Sequence, residues 1–138
     1  MGQYIIAFND EWVQPHTDEE LLAKDEAVSA VVQEMHDAGI WVFGNGGIDA
    51  STLVCSVVAE DGAPVFSDGP YVETKEHLGG FCVIDVPDDE AARDWAGRVA
   101  VALDWPQEVH RFPPSPSEQA RQRLEAAHSG TTTHVQEK

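Results

Sequence analysis

The first apolar run, Gln3 to Phe8 (QYIIAF), is nearly continuous, as expected of a central strand covered on at least one face. A polar loop follows to His16, and Thr17 with Glu20 forms a T-x-x-E capping box that starts a helix. Leu21, Val28, Val31, Val32, Met35 and Ala38 then recur at helical spacing until Gly39 ends the pattern. Ile40 to Phe43 is a short strand broken by the glycine-rich GNGG of residues 44–47. Ser51 to Val58 reads as another strand, and Asp61-Gly62 as a hairpin turn. Val65 and Phe66 give a brief return strand at an edge, because Pro64 cannot donate to a ladder. After the loop SDGPYVETKEHLGG, Phe81 to Val86 (FCVIDV) resumes a buried strand. Asp88 caps a second helix, whose Ala92, Trp95, Ala96, Val99 and Leu103 form one apolar stripe. Glu108 to Phe112 closes with strand-like alternation.

This order, β-α-β-β(β)-β-α-β, predicts an α+β fold: a ferredoxin-like split βαβ sandwich, with one antiparallel sheet and two helices on one of its faces. The other sheet face is left bare, and pairing through it into a homodimer is the natural way to cover its apolar residues. A chain of 138 residues fits one such domain, spanning 1–112. Residues 113–138 form a separate tail. PPSPS (Pro113 to Ser117) reads as a stiff linker, Ser117 as the cap of a short helix reaching Ala127, and SGTTTHVQEK as a disordered end.

Charge narrows the partners. Acidic residues outnumber basic ones 25 to 8, for a formal net charge of −17. Only Lys24, Lys75, Arg93, Arg98 and Arg111 precede Pro113, so the acidic excess belongs to the domain and the tail is neutral. Phosphate backbones and anionic lipids repel such a domain, which argues against nucleic acid and membrane as partners. No apolar run approaches a membrane span and the first residues lack a signal-peptide pattern, so a cytoplasmic protein is expected. Cys55 and Cys82 sit in apolar stretches and read as reduced core thiols. No histidine or cysteine spacing suits a metal, so no metal site is expected.

The chemistry concentrates in residues 67–80. Asp68-Gly69-Pro70 makes a tight turn, and Glu73, Thr74, Lys75 and Glu76 put two carboxylates, a hydroxyl and an ammonium in one short segment. Gly79-Gly80 allows close backbone approach before the next strand. Asp68 is the foremost candidate general base, and its structural alternative is to cap loop amides. Lys75 can anchor an anionic group or simply pair with its flanking glutamates, Glu73 and Glu76. His77 lies inside the same loop. His16, just before the helix cap, can swing over a cleft, and Trp12 in the first loop can line a ligand pocket.

The stretch DGPY-V-ETKE-x-L-G-G-F, Asp68 to Phe81, resembles the motif of the YCII-related proteins of the DGPF type, and the element order to Phe112 resembles theirs as well. That resemblance implies the dimeric α+β barrel form of the ferredoxin-like fold. It implies less about activity. The wider superfamily includes a dehydrochlorinase acting on chlorinated hydroxyhydroquinone, many DGPF-type members are associated with extracytoplasmic-function sigma-factor systems, and some relatives carry a histidine–aspartate pair in a cleft. Two positions depart from the pattern. The motif phenylalanine is Tyr71, which adds a phenol, and the first-helix histidine of the YCII branch falls near Val28, which moves no protons.

Two expectations follow. One is a cofactor-free enzyme acting on a small organic molecule by proton transfer, as a lyase, isomerase or dehydrochlorinase-like catalyst. Asp68 is then the base, Tyr71, His77 and His16 assist it, and Lys75, with Glu73 and Trp12, binds substrate. The other is a non-catalytic dimeric binding or regulatory module, for example within a sigma-factor pathway.

Overall fold

A computed structural model of the chain describes residues 2–70, 76–113 and 115–130. Six strands and three α-helices follow in the order β1 (Gly2–Asn9), α1 (Asp18–Asp37), β2 (Trp41–Asn45), β3 (Ser56–Glu60), β4 (Ala63–Ser67), β5 (Leu78–Val86), α2 (Asp89–Leu103), β6 (Glu108–Arg111) and α3 (Pro116–Gly130). Short 3-10 turns lie at Asp10–Trp12 and Ala50–Thr52.

Strands β2, β5, β1 and β6, in that spatial order, make one antiparallel sheet. This is the ferredoxin-like arrangement read from the alternation of elements. Tyr4, Ile6 and Phe8 of β1 and Cys82, Ile84 and Val86 of β5 point to the same face and are buried there with Met35 of α1 and Ala92, Ala96, Val99 and Leu103 of α2. The intervening positions Ile5, Ala7, Phe81 and Val83 lie on the other face, half-exposed, with Phe43 and Phe112 exposed. Period-2 alternation is therefore the rule that sorts β1 and β5 into a core side and an outer side.

Helix starts follow the sequence closely. Thr17 Oγ1 accepts the Glu20 amide at 3.1 Å while the Thr17 amide donates to Glu20 Oε1 at 2.8 Å, a complete capping box. Asp88 accepts the Ala91 amide at the start of α2. Asp89, one residue on, accepts both Arg111 Nε at 3.0 Å and Nη2 at 2.6 Å, together with the Tyr4 hydroxyl at 2.7 Å. This cluster ties α2 to β1 and β6.

Several expectations are corrected. β3 and β4 do not join the main sheet; they pair with each other, closed by the Asp61-Gly62 turn in which both residues take positive φ. The strand expected from Ser51 begins only at Ser56, because Asp49 captures the Ser51 amide and its own amide donates to Thr52, folding a 3-10 turn instead. Cys55 consequently lies in an irregular stretch, half-buried, whereas Cys82 is a core thiol; both are free. The Ser-Pro linker is shorter than expected. Ser115, not Ser117, accepts the Glu118 amide, and Pro116 opens α3, a position where the missing N–H costs nothing. Of the α1 stripe only Met35 is buried, and Leu21 is 42% exposed. No helix among the described residues is long and apolar enough to cross a membrane.

Candidate cleft between the first helix and the sheet

The poor burial of α1 is matched by open space on the facing side. Asp104 ends α2 in the left-handed conformation, with φ of 58°, and turns the chain so that Trp105 lies buried beside the Phe8 ring, centroids 5.3 Å apart. The Trp105 indole borders the gap between α1 and the sheet. A cleft of about 790 Å³ opens between them. Its apolar lining comes from Ile6 and Phe8 of the sheet and Leu21, Val28 and Val32 of α1, with Trp41 and Trp105 at its sides. That volume lies in the range that holds small organic ligands.

The glycines of the DGPY loop shape one end. A Cβ on Gly79 would sit 2.9 Å from both the Asp10 nitrogen and the Phe8 ring, and one on Gly80 would sit 2.7 Å from that ring. Only glycine lets Phe8 lie flat against β5 here. The Ile48 amide donates to the Gly79 carbonyl at 2.9 Å, bringing the Gly46 to Asp49 loop to the same end.

His16 lines the cleft, its ring 5.8 Å from that of Trp105. Its Nδ1–H donates to the Gln14 carbonyl oxygen at 2.9 Å, and a carbonyl only accepts, so Nε2 is the nitrogen left to exchange a proton. Lys24 lies on the same side of the cleft; its Nζ donates to the Leu103 carbonyl at 2.6 Å and sits 5.4 Å from the Trp105 ring centroid. His77 is paired with Glu11, whose Oε1 accepts the His77 amide at 2.8 Å and whose Oε2 accepts Nδ1–H. These bonds, the side-chain one foremost, hold the Glu11 carboxyl below the usual range. The His77 carbonyl in turn accepts the amide of Asp10, a residue of the cleft lining, at 2.7 Å. A carboxylate–imidazole pair therefore sits next to the cleft, joined to it through Asp10 and Gly79.

The other candidates from the sequence fall elsewhere. Asp68 is exposed on the bend after β4, beside Gly69 with φ of 141°. Trp12 packs half-buried against the core and does not line the cleft. Tyr71, Glu73 and Lys75 lie outside the described residues. Three participants went unrecognised: Glu11, Lys24 and Trp105. Lys24 had a signal, since it interrupts the apolar stripe of α1 at the spacing of Leu21 and Val28. Glu11 had none, being 66 positions from His77.

A second, more open hollow of about 590 Å³ lies on the outer seam of α1 and α2. Its Arg98 is committed to Asp94 at 3.1 Å, Glu34 at 3.5 Å and the face of Trp95, and Arg93 lies in the same lining. Among the described residues no group of three or more His, Cys, Asp or Glu is placed to hold a metal ion.

Sheet order, two helices on one face and a ligand-sized cleft under the first of them define an α+β sandwich of ferredoxin-like topology. The chain belongs to the YCII-related domain family, whose pattern matches residues 4–103. The match runs from β1 to the end of α2, so it includes His16, Lys24 and His77 and stops two residues before Trp105. No curated protein matches the chain.

Proposed function

We propose that this YCII-related protein is a cytoplasmic enzyme that transfers protons on a small organic molecule, in a lyase, isomerase or dehydrochlorinase-like reaction that needs no cofactor. The observation that carries the reading is His16, an imidazole with a tethered Nδ1 and a free Nε2 inside an apolar cleft of ligand size. In this reading His16 takes the proton from bound substrate. His77, oriented by Glu11 at the edge of the cleft, relays or returns it. The sequence assigns further groups to this reading: Asp68 and Tyr71 as acid–base residues, Lys75 to steady negative charge and Glu73 to support binding, all from the DGPY loop, and Trp12 from the first loop as a support behind the site.

Proton abstraction leaves a direct trace in heavy water. Small molecules that bind the cleft are incubated with the protein in D2O and followed by NMR. The expected result is deuterium incorporation or elimination that is lost in His16→Gln and slowed in Glu11→Gln. A ligand that fills the cleft, yet exchanges no proton and forms no product, overturns the reading.

A second reading is a non-catalytic dimeric binding or regulatory module, as in a sigma-factor pathway. Apolar surface away from the cleft favours it: Phe43, 57% exposed, and Phe112 on the outer sheet face, and Phe66, 65% exposed, on the β3–β4 hairpin. Pairing of two sheets through that face serves either reading. Light scattering reports it, with a dimer expected for the native chain and a monomer for Phe43→Glu combined with Phe112→Glu. A native monomer at micromolar concentration removes the homodimer.

A further inference from the structure

The aromatic walls of the cleft say that its ligand is apolar and flat; the charges among them say more. Three acidic residues, Asp10, Asp25 and Asp49, are among its lining, the last two solvent-exposed, against a single ammonium-bearing residue, Lys24. Lys24 is already committed to the Leu103 carbonyl and to the face of Trp105. His36, at the far side, stacks on Trp41 with centroids 5.2 Å apart. Ser51 donates to Asp49 from its amide and its hydroxyl, which holds that carboxyl below its ordinary range and keeps it charged. The surrounding domain adds to the same sign, since the whole acidic excess of the chain lies before Pro113. Low-dielectric walls focus such a field into a concave site.

We infer that the cleft takes an organic cation, an amine or quaternary ammonium carried on a flat apolar body. Lys24 over the Trp105 ring shows that an ammonium is accepted against this aromatic wall, and Trp41, stacked on His36, extends the wall on the other side of the lining. An anion of the same shape meets three carboxylates and finds one cation already engaged. This inference rests on the reading that the cleft is the substrate site, and it names the charge class of that substrate.

Three probes of one shape separate the possibilities: 2-(1-naphthyl)ethylamine as its ammonium ion, neutral 1-naphthaleneethanol, and 1-naphthaleneacetate. The full chain is titrated with each by calorimetry, at low and at high salt, while the indole N–H signals of Trp41 and Trp105 report the place of binding. The ammonium is expected to bind about tenfold or more tighter than the alcohol, with the acetate weakest and the preference falling with salt. Asp10→Asn combined with Asp25→Asn is expected to erase most of that preference while leaving alcohol binding unchanged. Equal affinity for ammonium and alcohol, tightest binding of the acetate, or a preference that survives both substitutions overturns the inference and leaves the cleft as a site. If none of the three moves the Trp41 and Trp105 signals, the cleft is not a ligand site, and the proton-transfer reading falls with it.

Discussion

Helix α2, 15 residues long, buries Ala92, Ala96, Val99 and Leu103 against the sheet, whereas α1, at 20 residues, buries only Met35. Both lie on the same face of the same strands. The difference starts in the side chains at the contact. α2 presents alanines at two of its four buried positions, so its axis comes close to the strands, and Asp89 fastens its first turn to Arg111 and Tyr4. α1 presents Leu21, Lys24, Val28 and Val32 to a cleft that Trp105 also lines. α2 is thus packed over most of its length, with Val99 and Leu103 also bordering the cleft, whereas α1 is chiefly a cavity wall. A helix kept from close packing leaves space for a ligand, at the expense of the burial energy it would have gained.

The comparison can be broken at its strongest point first. Ile84, with 0% exposure, lies in the packed half, and Ile84→Ala is expected to cost about 2–5 kcal/mol in urea denaturation. A loss below about 1 kcal/mol there means that the core on the α2 side is loose. Gly80→Ala forces a methyl group against the Phe8 ring where the two halves meet, and a loss of about 1–3 kcal/mol is expected from the same measurement. Thr17→Ala removes the capping box from the helix with less packing behind it. About 1 kcal/mol of stability should go, visible in thermal unfolding, and wild-type stability in this variant means that the cap contributes nothing. Val28→Ala, on the cleft wall, makes no new enclosed void, so its expected cost is under about 1 kcal/mol, while ligand affinity falls by a larger share.

The smallest effect is the response to acid. Arg111 first and Tyr4 second hold the Asp89 carboxyl down at about 2, below its value of about 3.9 in an unfolded chain. A depressed carboxyl contributes stability that is present above about pH 4 and is lost as pH falls toward 2. Asp89→Asn has no such contribution to lose. Its stability should therefore change less than that of the native chain across this interval, and identical pH profiles of the two would show the Arg111 bond to be without energetic consequence.

The packed half was largely legible in the chain and the open half only in part. The α2 stripe and its Asp88 cap gave the correct face of that helix, and the apolar runs of β1 and β5 marked them as central strands. Which of their residues face the helices was visible only in the structure. For α1 the same kind of period specified a helix and its capping box, but period does not encode the distance to whatever lies opposite. What lies opposite includes Trp105, more than eighty residues from Thr17 and just past the end of α2. The motif loop drew attention to His77 for its neighbours in sequence, while its hydrogen-bond partner, Glu11, comes from the turn after β1 and carries no local mark. Asp68, prominent by its Gly-Pro context, is exposed at the bend after the hairpin. At the tail, Ser115 and Ser117 both precede a helical segment, and Pro116 decides between them by starting the helix itself.

The supports of α1 carry a mechanical consequence. It is held like a beam at its ends: the Thr17–Glu20 box and the Lys24 bond to Leu103 near one, Met35 near the other. The span between packs only in part, through Val28 and Val31, and its inner face borders the cleft, so bowing outward breaks less core contact than moving α2 would. Amide hydrogen exchange should record this as a lower opening free energy for the middle of α1 than for α2. On the proposed reading, a ligand would enter by flexing a roof and would need no door cut into the core.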